Sequence, residues 1–176
     1  AMTEKRFALF VAAVLIVMAA VSRVVPHPWN FTPMIAVALF GGARIEKAWV
    51  AIAAVIGTLV AGDVALGLFP YGGIEWVYGS MIAVVLVGRA ARGGVARAIV
   101  GALAAGALFF VVTNLGVWIA GGLYPRTAQG LIDCYVAAVP FYRNQIVGDL
   151  IFTGALFGAH AIATGAYARL ARPQAA

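Results

Sequence analysis

The chain has 176 residues, 64% hydrophobic and 10% charged, with a mean hydropathy of +1.01. A water-soluble domain runs about 45–50% apolar and about 25% charged, so too few polar residues are present to cover a soluble surface. The net charge of +6 would suggest nucleic acid in a soluble protein; here the basic residues flank apolar runs, where they set membrane orientation instead, and no nucleic-acid partner is expected.

At ~20 apolar residues per span, the length suits a single transmembrane domain, residues 1–176, of about six crossings in the lipid bilayer. Span one covers about 7–22; because further apolar segments follow, it reads as a first span and not as a removed signal peptide. The loop Val24 to Asn30 carries Pro26 and Pro28, which forbid a continuous helix. Span two, about 32–43, opens with Pro33 in a position suited to a first helical turn. It is short for a crossing, so it must borrow the preceding loop or be covered by neighbours. Span three, about 48–69, is interrupted by Asp63 and followed by the turn Pro70-Tyr71-Gly72-Gly73. Span four covers about 75–90, and a basic, Gly-rich turn from Arg89 to Arg97 leads to span five, about 98–121. A longer polar segment, 122–143, contains Leu131 to Val139, which reads as a short interfacial or re-entrant helix before span six at about 144–168. The fold class is therefore all-α, a bundle of six transmembrane helices.

Orientation follows from counting. With six spans, Lys5, Arg6, Arg44, Lys47, Arg89, Arg92, Arg97, Arg169 and Arg172 fall on one side, and Arg23, Arg126 and Arg143 on the other. The positive-inside rule then puts both termini in the cytoplasm, in the inner membrane of a bacterium.

The external side carries most of the remaining polar and aromatic chemistry: His27, Trp29 and Asn30 in the first loop, Tyr71, Glu75, Trp76 and Tyr78 around the second, and Tyr124, Arg126, Asp133, Cys134, Tyr135, Tyr142 and Arg143 in the third. A belt of interfacial aromatics should be two-sided; the inner side has only Trp49 and Tyr167. Within the spans, Asp63, Asn114 and Asp149 lie at similar depths, roughly 8–11 Å below the outer surface at ~1.5 Å per residue. A carboxylate there should face the bundle interior and find a partner; Arg143, Asn114 and Thr113 are the available ones, Arg143 lying beside Asn144 and close to Asp149. These polar groups either pin helices together or floor a pocket open to the outside. His160 falls near the cytoplasmic face as a helix-contact residue, and it is too far from His27 for both to ligate one haem or metal. The lone cysteine, Cys134, excludes an internal disulfide and a multi-cysteine metal site and reads as a small packed residue. No hydrolase elbow, zinc-protease pair or Walker loop occurs, so no enzyme activity is expected. Ala8 and Ala12 form a small-xxx-small pair in span one, and Gly101 and Ala105 form one in span five.

Several segments together carry a resemblance: Arg23 to Pro33 (RVVPHPWNFTP), Ala38 to Ala43 (ALFGGA), Thr113 to Trp118 (TNLGVW), Tyr124 to Thr127 (YPRT), and Cys134 to Asn144 (CYVAAVPFYRN) with Gly148 to Phe152 (GDLIF). The chain resembles a bacterial family of six-span transporters related to the S components of energy-coupling-factor (ECF) vitamin transporters. The likeness is closest to the solitary cobalamin-binding kind (BtuM type). The resemblance implies capture of a vitamin-like molecule, such as cobalamin, from the outer side under external loops. The ligand would be held by His27, Asn30, Asp63, Tyr71, Trp76, Tyr78, Asn114, Tyr124, Arg143 and Asp149. It further implies that Ala8 and Ala12 dock an ECF coupling subunit, which would bring its ATPases. The cobalamin kind supplies a cysteine to cobalt from the loop region after the third helix; here Phe69 to Ser80 holds none, which leaves a corrinoid ligand open. The rival expectation is a structural or accessory subunit filling a seam in a larger membrane complex.

Overall fold

The computed structural model describes residues 3–21 and 25–171, with six α-helices and no strand among them. The expected positions of Arg23 and Arg172 lie outside the described residues. The helices are α1 (Glu4–Val21), α2 (Met34–Arg44), α3 (Ala48–Ala65), α4 (Ile74–Ala90), α5 (Val95–Ala120) and α6 (Ala128–Leu170). Five of them close a ring in the order α1, α3, α4, α5, α6 and back to α1, and every one of the five also packs on α2 at the centre.

The sequence of α2 explains its place. Met34 to Ala43 is apolar on every face, and a helix without a polar stripe belongs in a core. All ten of those residues are buried. Two glycines bring α2 against α4 backbone to backbone. A Cβ on Gly42 would stand 2.1 Å from the Val85 carbonyl oxygen, and one on Gly88 would stand 2.2 Å from that of Leu39. The buried residues Leu39, Phe40, Val55, Val84, Val85 and Ala102 fill the space around this contact.

One end of the ring is basic. There Lys5 pairs with Glu46 at 2.9 Å. Arg92 donates to the carbonyls of Gly42 at 3.4 Å and Ile45 at 3.0 Å, and Arg89 donates to that of Glu46 at 3.0 Å. Two guanidinium groups thereby satisfy carbonyls left open at the C-terminus of α2, where positive charge is also favoured by the helix dipole. Arg44 lies over the ring of Phe157, 5.0 Å from its centroid.

Among the described residues three helices, α3, α5 and α6, are long and apolar enough to cross a membrane. Of the others, α1 has Glu4, Lys5 and Arg6 in its first turns, α4 has 17 residues and α2 has 11. At ~1.5 Å per residue α2 is roughly 16 Å long, half the ~30 Å hydrocarbon thickness. It fills only the basic half of the ring.

The separate interfacial helix expected before the last span is corrected. Residues 128–170 form one helix of 43 residues that runs through Pro140. Thr127 caps it, accepting from Gly130 N–H at 3.1 Å. Along its first half it is fastened to α5: Tyr135 donates to the Val111 carbonyl at 2.6 Å, and Cys134 Sγ to that of Asn114 at 3.5 Å. These tertiary bonds offset the backbone hydrogen bond that a proline removes from a helix interior.

Candidate functional site

Because α2 is short, the ring interior beyond its N-terminus is occupied by the loop before it and by a cavity. The loop turns at Asn30, which adopts φ 58°, a left-handed conformation that asparagine tolerates better than most residues. It then packs inward: Phe31 meets Phe152 with ring centroids 5.3 Å apart, and Asn144 donates to the Trp29 carbonyl at 3.1 Å. The cavity, about 180 Å³, collects residues from every ring helix except α1: Asn30 and Thr32 from the loop, Leu59 from α3, Val77 and Met81 from α4, Phe109 from α5 and Gln145 from α6. Met34 and Ile35, in the first turn of α2, complete it. Pro33 provides no side-chain cap there, so the first N–H groups of α2 and the positive end of its dipole border this chamber.

A second cavity of about 480 Å³ lies between the N-terminal end of α4 and the C-terminal end of α5, lined by Tyr71, Trp76, Val77, Thr113 and Gly116 among others. Gly116 accommodates the indole of Trp76, which a Cβ would meet at 2.3 Å. Val77 belongs to both linings. The larger cavity, called the vestibule below, and the inner chamber thus share one side chain.

The candidate residues divide between several places. Tyr71 and Trp76 line the vestibule, and Asn30 lines the chamber. Asp63 is 2% exposed and accepts from the Tyr78 hydroxyl at 2.9 Å. Asp149, 3% exposed, is approached by Gln145 Nε2 at 3.4 Å, the same nitrogen that donates to the Gly106 carbonyl at 3.0 Å. A Cβ on Gly106 would lie 2.7 Å from an Asp149 carboxylate oxygen, so glycine makes the room for this acid against α5. Asn114 donates to the Phe110 carbonyl at 2.8 Å, within its own helix. The three polar residues expected at one depth therefore have separate nearest partners and do not form a single cluster.

The remaining candidates lie outside both cavities. Arg143 is exposed and makes no ion pair or hydrogen bond among the described residues. Its six-residue separation from Asp149 turns it about 120° away around the helix, whereas Gln145, four residues away, shares the acid's face. His27, exposed and 3.1 Å from the Pro28 carbonyl, lines neither cavity, and neither does Tyr124. Ala12 faces inward at 1% exposed, while Ala8 is partly exposed and its carbonyl lies 3.2 Å from His160 Nε2. The small side chain of Ala12 packs against the protein's own bundle.

Gln145, Thr32 and Gly106 escaped the sequence reading. The signal for Gln145 was present in Gln145, Asp149 and Thr153, a polar series at four-residue intervals in an apolar segment. All three are buried.

A family model matches residues 3–173 and describes a family of unknown function, DUF6580. The chain belongs to DUF6580. No curated protein and no solved structure matches it. Among the described residues of this DUF6580 protein no group of three or more His, Cys, Asp or Glu side chains is placed to hold a metal ion. Cys134 is buried and bonded to α5, outside both cavity linings. What the geometry provides is a small chamber, apolar on most walls, with hydroxyl, amide and helix N–H groups at one side.

Proposed function

We propose that this DUF6580 protein is a substrate-binding integral membrane protein for uptake of a vitamin-like small molecule. The ligand enters from the external side through the vestibule and is held in the chamber above α2. The observation that carries the reading is the central helix stopping halfway. A bundle stabilised only by packing would fill its axis, whereas here five elements of the chain leave a lined space at the end of a buried helix. Ligand sites are commonly concave and mostly apolar, with a few convergent polar groups.

In this reading the chain crosses the bilayer six times, the second crossing being made by the loop at 25–33 together with α2. The basic end faces the cytoplasm with both termini. The vestibule, at about 480 Å³, falls in the ~300–1,000 Å³ range usual for small-molecule pockets. The chamber, at about 180 Å³, corresponds to roughly six water volumes. These volumes favour a ligand smaller than a corrinoid, and neither lining contains a cysteine for cobalt. An energising ECF coupling subunit would engage a surface other than the buried Ala12.

The test is to purify the protein from membranes, extract bound small molecules and compare them by mass spectrometry with those from Met81→Trp, which fills the chamber. A molecule abundant with the wild type and depleted with the folded variant supports the reading. Equal recovery from both, or none from either, contradicts it.

A further inference from the structure

A second cavity system opens on the outside of the ring at its basic end. It is a groove of about 470 Å³ between α4 and α5, lined by Val87, Ala90, Val100, Gly101 and Ala104 and by one charged side chain, Arg97. Its floor is formed where Gly101 comes close to Ala91; a Cβ on Gly101 would lie 2.8 Å from the Ala91 Cβ. The Arg97 side chain is held in place by Nη1, which donates to the Arg92 carbonyl at 3.0 Å. Its remaining guanidinium nitrogens donate to no described residue. The N-terminal end of α5 adds the positive end of a 26-residue helix, with Gly94 giving no side-chain cap. The nearby arginines Arg89 and Arg92 add positive charge, while of the two acids at this end, Glu4 and Glu46, the second is paired with Lys5.

We infer that this groove binds an anionic phospholipid, with one acyl chain lying between α4 and α5 and the phosphate against Arg97. The occupant follows from the two halves of the groove. The apolar half, made of alanine, glycine and valine surface, accepts a hydrocarbon chain and offers no polar group to a peptide backbone. The charged half presents a planar fork that suits phosphate oxygens. Basic pockets between transmembrane helices on the cytoplasmic side are suited to anionic headgroups. The inference rests on the bundle lying in a membrane but not on any ligand in the inner chamber, so the two readings fail separately.

The experiment is native mass spectrometry of the detergent-purified full chain titrated with phosphatidylglycerol, and separately with phosphatidylcholine of the same acyl chains. Wild type is expected to retain phosphatidylglycerol in preference to phosphatidylcholine. Arg97→Gln should weaken the phosphatidylglycerol adduct roughly fivefold or more, the effect of one basic residue at an anionic surface. Arg169→Gln, the same charge change at the same end, should leave it within twofold of wild type. Ala104→Phe, which fills the groove from an exposed position, should weaken both lipids. Equal retention of the two lipids by wild type would overturn the inference. So would equal losses in Arg97→Gln and Arg169→Gln, or displacement of the lipid by millimolar inorganic phosphate.

Discussion

Replacing Gly88 with alanine puts a methyl group into the contact between α4 and α2. The new Cβ would stand 2.2 Å from the Leu39 carbonyl oxygen, 2.9 Å from its carbon and 3.0 Å from the Leu39 Cα. A tolerable carbon–oxygen separation begins at about 3.3 Å, so the two helices must part by roughly 1 Å. The obstructing atoms are backbone and cannot rotate away. The neighbours Leu39, Phe40, Val84 and Val85 are themselves fully buried, leaving nowhere for strain to relax. Overpacking a core costs about 1–3 kcal/mol, occasionally more, and this site belongs at the upper end. For a chain of this size ~3 kcal/mol lowers the melting temperature by roughly 6–12 °C. Thermal unfolding of the purified protein in detergent measures it, with Gly57→Ala as control, since a Cβ there meets nothing within 4 Å. Gly42→Ala should behave like Gly88→Ala. If Gly88→Ala melts within about 2 °C of Gly57→Ala, α2 and α4 are not in backbone contact and the central-helix architecture is wrong.

Three further outcomes are expected. Gln145→Leu strips the Gly106 carbonyl and Asp149 of a buried donor and should cost about 1–3 kcal/mol, read by thermal unfolding; adding Asp149→Leu should recover part of that loss. Thr127→Ala removes the cap of α6 and should cost about 1 kcal/mol, with faster hydrogen exchange confined to the first turn after residue 127. The hydrogen bond and charge of Lys5 hold the Glu46 carboxyl below its ordinary range. Lys5→Gln should raise the Glu46 titration seen by NMR. Because a lowered acid stabilises only above its unfolded value and loses that contribution as pH falls through the folded one, the wild-type advantage should vanish in acid, and it should be small in this exposed pair.

The helices of the ring could be read from apolar runs and their punctuation. The turn at Pro70 to Gly73 falls between helices as expected, whereas of the basic turn expected from Arg89 to Arg97 only residues 91–94 lie between α4 and α5. The short second segment was legible as too short to cross alone, which left it either to borrow the preceding loop or to be covered by neighbours; its ten buried residues show the covering. The continuity of α6 was hidden by Pro140 and by the polar residues Asp133, Tyr142 and Arg143, which composition assigns to a loop. The helix through them is fastened to α5 by Cys134 and Tyr135, bonds that only tertiary structure supplies. The pairing of Asp149 failed for a related reason. Depth along a helix can be counted from sequence, but the inward face cannot be known until the neighbours are in place. That choice puts Gln145 beside the acid and Arg143 outside. Asn30 and Trp76 could be anticipated as polar or aromatic residues on loops and helix ends. Thr32 could not, because the chamber it lines exists only where α2 stops.

The most direct measurement is an experimental structure of the protein purified from its own membrane without added ligand. The proposal predicts non-protein density in the chamber above α2, in contact with Asn30, Thr32 and Gln145. A chamber filled by side chains or by ordered water alone, or a bound molecule held elsewhere in the bundle, would contradict it.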